Sequence, residues 1–573
     1  MKRNKTMKAL VNRIAIALCA AAFVGSVFAI DDLPAPNAAG KIVLDTPSGE
    51  YAATADVVCT QVVFSANNIS VDLSADGGKT ISIPSTVTSD GFAFSERHFT
   101  ASVLDGIWDF GGSANLKVGS SHHDHAVTFS GTKVRNVNSV IIGDTWKRCK
   151  LTLEDGAELG VGVMRIANGS NAGQCTFEIL GGSTASVVGN FIIEDGTSVG
   201  AGGNLLSIAG TGSSLSAPNA SVVLGRGCSN DRMSVTDKGS AALQSLTAGG
   251  VLNGTVAKNT VLSVDDATLT TTGNLTIGSG GSFGNRAEFT NATLSVKSIV
   301  VGSGANSTNN TLVLAGSTTL TQTTPGDDPF FFGSAGGNEV VMTDWFQYAL
   351  TGDDLMKVSS NNVVRIRNGA KVTKSTICYL GTRDASSHDN TYSVEAGGTS
   401  VLYRVNFGGA RNRIVVNDGV FELTRASTGA LALGCDTTDT AANPTAGCEL
   451  VLRGTKPQYK TTGETVVYGD GRGALRFELP AAALETVPMD CGTLTVQEGA
   501  AIHVKCGDYL SYIGDERGRV VLACASTAAK LTVPQTVIDA TNAELPERCK
   551  LAIDGKDLVL TIRGNKGFVL TYR

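Results

Sequence analysis

An asparagine recurs along this chain at a fixed distance ahead of two apolar residues, and this spacing limits the possible folds more than any other feature. In NNTLVLAGSTTL (309–320), Asn310 precedes Leu312 and Leu314, which flank Val313. The same frame fits thirteen positions: His125, Cys149, Cys175, Asn204, Asp231, Thr260, Asn285, Asn310, Asn338, Asn362, Asn390, Asn412 and Cys448. Two and four residues after each of them the side chain is apolar, from Val127 and Phe129 to Leu450 and Leu452. Three residues after, it is polar in nine cases, including Thr128, Glu178, Ser207 and Arg365. In–out–in alternation is the period of a strand buried on one face.

The thirteen positions lie on average about 27 residues apart. A turn follows most of the strands, as in EDGAEL (154–159) and NDGVF (417–421). A second apolar stretch then ends in glycine, as in VIIG (140–143), LTIG (275–278) and IVVG (299–302). The apolar spacing of a helical repeat is absent, and 68 glycines with abundant Thr, Ser and Val disfavour helix. Repetition at this period predicts one supersecondary unit per repeat. The expected fold is all-β: a single-stranded parallel β-helix, or solenoid, of about 27-residue turns. Stacking would place Asn204, Asp231, Asn285, Asn310, Asn338, Asn362, Asn390 and Asn412 in one column, with side chains about 4.8 Å apart and able to hydrogen-bond as an asparagine ladder. The asparagines are also expected to adopt the left-handed backbone needed at a corner.

The repeat delimits four segments. Residues 1–29 combine five basic side chains, an apolar run and Val27-Phe28-Ala29, the pattern of a cleaved secretory signal. Residues 30–120 read as an irregular N-terminal cap, 121–475 as the parallel β-helix, and 476–573 as an antiparallel, β-rich C-terminal cap ending in hairpins at DGKD and GNKG. After the leader, no apolar run is long enough to span a membrane as a helix. The net charge of −6, without a basic cluster, argues against nucleic acid as a partner. Export would permit disulfides. Cys435 and Cys448 flank the longest loop, which a bridge would pin; Cys149 and Cys175, on neighbouring turns, would be a disulfide or two buried thiols.

Candidate chemistry concentrates at one corner. Asp327 and Asp328 in TPGDDPFFFG, with Asp353 and Asp354 one turn later, would gather four carboxylates there. Phe331, Trp345, Phe346 and Tyr348 belong to the densest aromatic group in the chain, and an outward ring can stack on a sugar face. Calcium is the ion and glycans are the ligands such a corner would take; otherwise the rings fill the core and the acids are solvated turn residues. No cofactor motif is present. SSHHDHAV (120–127) holds three of the six histidines but lacks a zinc-like spacing. No nucleophile elbow, phosphate loop or HExxH motif appears.

The units LTLEDGAELGVG (151–162), IVVNDGVFEL (414–423) and LTVQEGAAIHV (494–504) resemble the strand repeats of autotransporter-type passenger domains and related secreted bacterial β-helix proteins. The resemblance implies a secreted or surface-displayed stalk, often adhesive, with glycans or cell-surface proteins as partners. About 100 residues follow the repeat, whereas a membrane barrel of a dozen strands needs well over 200, so the expected protein lacks the self-translocating barrel. The expectation is therefore an exported, elongated structural or adhesive protein without catalytic activity. The rival is a polysaccharide lyase or hydrolase built on the same coil.

Overall fold

The computed structural model describes residues 30–564, apart from residues 46–47, 65–69, 76–77, 85–90, 95–98, 120–121, 170, 195–201, 253, 325–329, 334, 351–359, 381–387, 408–409 and 435–446. The leader and the GNKG turn lie outside the described residues, as do Asp327, Asp328, Asp353, Asp354 and Cys435.

Alternating side chains fold as the repeat requires. Strands such as Thr311–Ala315, Glu339–Thr343 and Val363–Ile366 send every second residue inward and pair in parallel with their equivalents one turn away. The register keeps like over like, with Leu312 beside Val340 and Leu314 beside Met342. Among the described residues, nineteen strands form this first sheet. It starts at Asp31–Asp32 and ends at Ala501–Lys505, so the coil extends beyond the expected 121–475 at both ends. The result is a parallel β-solenoid with about 26 residues per turn. Every inward side chain two and four positions after the thirteen repeat sites is buried. Each fully buried leucine or phenylalanine among them contributes about 1.5–3 kcal/mol.

The turn has three sides where the sequence suggested two. Between the first strand and the glycine lie a second strand, such as Thr293–Val296, and a third, Ile299–Ser303, each continued in parallel by the next turn. In several turns these two merge into one long bent strand, such as Lys133–Ile142, with a register shift between Val134 and Val137. Short polar second strands such as TLSV carry too few apolar residues to stand out in the sequence.

The asparagine column is present and hydrogen-bonded as expected, but its residues are not the left-handed ones. At all thirteen repeat positions the left-handed residue is the one immediately before, with φ between 54° and 74°; examples are Asn309, Asn361, Asp389 and Arg411. The ladder residue itself is not left-handed; its side chain does the work. Asn310 Oδ1 accepts from the backbone N–H of Asn285 at 3.2 Å and from its Nδ2 at 2.8 Å. Asn338 Oδ1 serves Asn310 in the same way at 3.0 and 2.9 Å. Backbone-to-side-chain rungs continue through Asn362, Asn390 and Asn412 at 2.8–3.0 Å. The amide thus supplies an acceptor to a corner N–H that the sheets cannot reach, which is what a buried bend demands.

The C-terminal end departs further from expectation. Strand Gly518–Ala525 pairs antiparallel with Asp557–Ile562, which forms the DGKD hairpin with Cys549–Asp554. Two helices, Gly507–Ile513 and Gln535–Glu544, occur where only strands were foreseen. The second buries Val537, Ile538 and Thr541. The Thr541 hydroxyl donates to the carbonyl of Ile502 at 2.9 Å, covering the last strand of the first sheet. An open parallel edge is a liability, and this helix closes it. No helix among the described residues is long and apolar enough to cross a membrane.

Candidate binding groove on the first sheet

At the central outward position of the first-sheet strands, three residues after the ladder site, polarity is broken at four of the thirteen repeats, Val313, Val341, Val415 and Val451, which fall in two pairs of adjacent turns. Each pair floors a groove. The first encloses about 560 Å³ over Val313, Ala315 and Val341, with Arg286, Glu288, Glu339, Asp344, Arg365 and Arg367 around them. The three floor residues are only 5–6% exposed although they face outward, because long charged neighbours cover them. Arg286 pairs with Glu288 at 3.1 Å, and Arg365 bridges Glu339 and Glu395 at 2.6 Å each. These links hold the walls upright across three turns.

The second groove, about 530 Å³, lies over Val415 and Val451 and is lined by Arg411, Arg413, Arg453 and Arg476 against Glu449 and Glu478. Arg476 pairs with Glu449 at 2.9 Å, and Arg411 grips Asp389 through both nitrogens at 2.6–2.7 Å. The Arg411 contact holds the Asp389 carboxyl down at about 2, with a smaller contribution from His388. A carboxylate whose folded value lies below its unfolded one stabilises fully above about pH 4 and loses that contribution as pH falls toward 2. Arg411→Met should return the Asp389 midpoint toward the ordinary carboxylate range in an NMR titration, and the stability gap between the two proteins should close between pH 4 and 2. An ordinary Asp389 midpoint in the unaltered protein would mean that the pair does not form.

Of the aromatics named from sequence whose side chains are described, Trp345 is presented to solvent. Trp345 is 75% exposed, at φ 69°, directly after the groove residue Asp344 at φ 52°. A bulky side chain in left-handed backbone is an outlier that the surroundings must impose. Its ring covers Gly369 of the next turn, where a Cβ would lie 2.5 Å from the indole. Phe346 is fully buried, and Tyr348 is half-buried against the core, its ring 6.1 Å from that of Phe346. These two belong to the core reading. Phe331 lies in strand Phe330–Phe332, which pairs with Ile299–Ser303; its side chain is outside the described residues, as is the whole four-carboxylate corner.

No family model, curated protein or solved structure matches this chain.

Cys59, Cys149, Cys175, Cys228, Cys491, Cys506, Cys524 and Cys549 are free thiols. Cys149 and Cys175 are stacked in the ladder column as reduced, buried neighbours; contact with the Cys175 sulfur and burial raise the Cys149 thiol. Cys448 is buried in the same column, while its expected partner Cys435 lies outside the described residues. Near the C-terminus the sulfurs of Cys506 and Cys549 are 3.7 Å apart, a juxtaposition that spacing did not indicate. His125 is a buried ladder residue, and His123 accepts the N–H of Lys147 at 3.1 Å, so the histidine run is divided between core and corner.

Proposed function

We propose that this protein is an exported, elongated, non-catalytic solenoid that holds an extended polymeric ligand, foremost a glycan, along the outer face of its first sheet. The observation that carries the reading is the alignment of the two apolar-floored, arginine-walled grooves on one face, with exposed Trp345 beside the first. From Thr311–Ala315 to Cys448–Arg453 the face spans five strand steps, about 24 Å at the usual strand spacing. That length suits a chain of sugars better than a compact molecule. Arginine forks recognise carboxylate and sulfate groups, which favours an acidic polysaccharide. The N-terminal leader pattern and the likeness of the strand repeats to autotransporter-type passengers support display outside the cell.

The test is retention on immobilised acidic and neutral polysaccharides, with product analysis of the same mixtures. Retention on the acidic resin without product is expected. Trp345→Ala should weaken binding by about tenfold, the worth of one ring contact. New reducing ends or unsaturated uronates would instead establish a polysaccharide-active enzyme, and absence of retention on every resin would remove the binding reading.

A further inference from the structure

Two departures from the repeat meet at a single contact inside the coil. The glycine that ends a turn packs against the ladder residue two repeats on: a Cβ at Gly143 would fall on Cys175, at Gly249 on Asn285, and at Gly302 on Asn338. At residue 194 this position is a glutamate, held at φ 63° where glycine would be unstrained. The ladder residue two repeats on is Asp231, which stands where Asn204, one turn before it, carries an amide. A carboxylate in the glycine column therefore confronts a carboxylate in the ladder column. Both are at least 97% buried, and Cys228, 98% buried, lies between them.

The ligand-type atoms of Glu194, Cys228 and Asp231 lie within 4.8 Å of one another. Cys228 Sγ is 3.1 Å from Asp231 Oδ2. Backbone N–H groups of Asn204 and Gly225 donate to the two Asp231 oxygens at 2.8 and 3.1 Å, and that of Gly202 donates to Glu194 at 3.3 Å. None of the ion pairs among the described residues includes either carboxylate. Burial and the Asp231 charge push the Glu194 carboxyl up to about 7, the response of a buried acid facing a like charge without a cation. A second observation points to the same corner. Thr260, the next ladder residue, is fully buried, and its hydroxyl has no hydrogen-bond partner. That hydroxyl fills the space where a Cβ of Gly225 would be, and Gly225 is itself bonded to Asp231. The amide ladder is interrupted here: Asp231 has no amide to donate, and Thr260 has no carbonyl to accept.

We propose that Glu194, Cys228 and Asp231 bind one borderline divalent cation, zinc, which staples two turns of the coil where the amide ladder is broken. Mixed thiolate and carboxylate donors select zinc over the oxygen-seeking calcium and magnesium. Three protein ligands leave a fourth position for a water, to which the Thr260 hydroxyl supplies a hydrogen-bond partner. Binding replaces the thiol proton, which leaves to solvent, with a sulfur–metal bond.

The experiment is metal titration of the chelator-treated full chain, using zinc and, as a spectroscopic probe, cobalt(II). One equivalent of zinc should bind and raise the unfolding temperature, with no effect of calcium or magnesium. Cobalt should give a thiolate charge-transfer band in the near ultraviolet that is lost in Cys228→Ser. Glu194→Gly is the decisive variant, because it restores the repeat's own residue, relieves the φ strain and should fold. Its zinc affinity should fall by more than about a hundredfold. Failure of the unaltered protein to bind zinc, a cobalt band that survives Cys228→Ser, or unchanged affinity in Glu194→Gly would each overturn the proposal. None of these results bears on glycan retention by the outer face.

Discussion

Replacing Asn310 with alanine should destabilise the protein by about 3 kcal/mol, far more than an exposed asparagine would cost. The substitution removes the acceptor for Asn285 N–H and Nδ2 and the donor to Asn338 Oδ1, and all three asparagines are at most 1% exposed. Each buried polar group left unsatisfied costs about 1–3 kcal/mol, and local relaxation recovers part of the total. The half-exposed Asn417 on the outer face is the control, where alanine should change stability by less than about 0.5 kcal/mol. The midpoint of urea unfolding reads both. Equal small effects at the two positions would mean that the column is a line of loop residues and not a ladder.

Gly278→Ala should cost a similar amount through a different route. Gly278 has φ 76°, where alanine is strained by about 1 kcal/mol, and its new Cβ would fall on the side-chain amide of Asn310. Overpacking of this kind adds about 1–3 kcal/mol, and the displaced amide loses its rungs. The two sites share one contact, so their effects should not add. In Gly278→Ala/Asn310→Ala the methyl group occupies space the amide has vacated, and the double variant should be more stable than the sum of the single losses by about 1–2 kcal/mol. Strict additivity would show that glycine is required by the backbone alone.

These two variants also mark what could be read from sequence. The phase of Asn310 to Leu312 and Leu314 gave the inward face, the strand register and the stacking, because alternation has only one solution when one face is buried. The groove floor was legible too: Val313, Val341, Val415 and Val451 are the four apolar residues three positions after the thirteen ladder sites, and they pass unnoticed when the pattern is scored only by its successes. The aromatic cluster was separable only in three dimensions. Phe346 and Tyr348 turn to the core, while Trp345, one residue earlier, is turned outward by the left-handed pair Asp344–Trp345. Spacing likewise gave no sign that Cys506 faces Cys549, because the intervening helices reverse the chain.

By itself, the sequence determined that this chain winds into a parallel β-coil with a polar column at one corner, because short-range alternation and a constant period carry that information locally. The tertiary structure decided which residue at each corner is left-handed, why a glycine faces the amides of Asn285, Asn310 and Asn338, and that Glu194 confronts Asp231 from 37 residues away. Those facts depend on the rise from one turn to the next, which sets a residue's neighbours by height along the coil and not by distance along the chain.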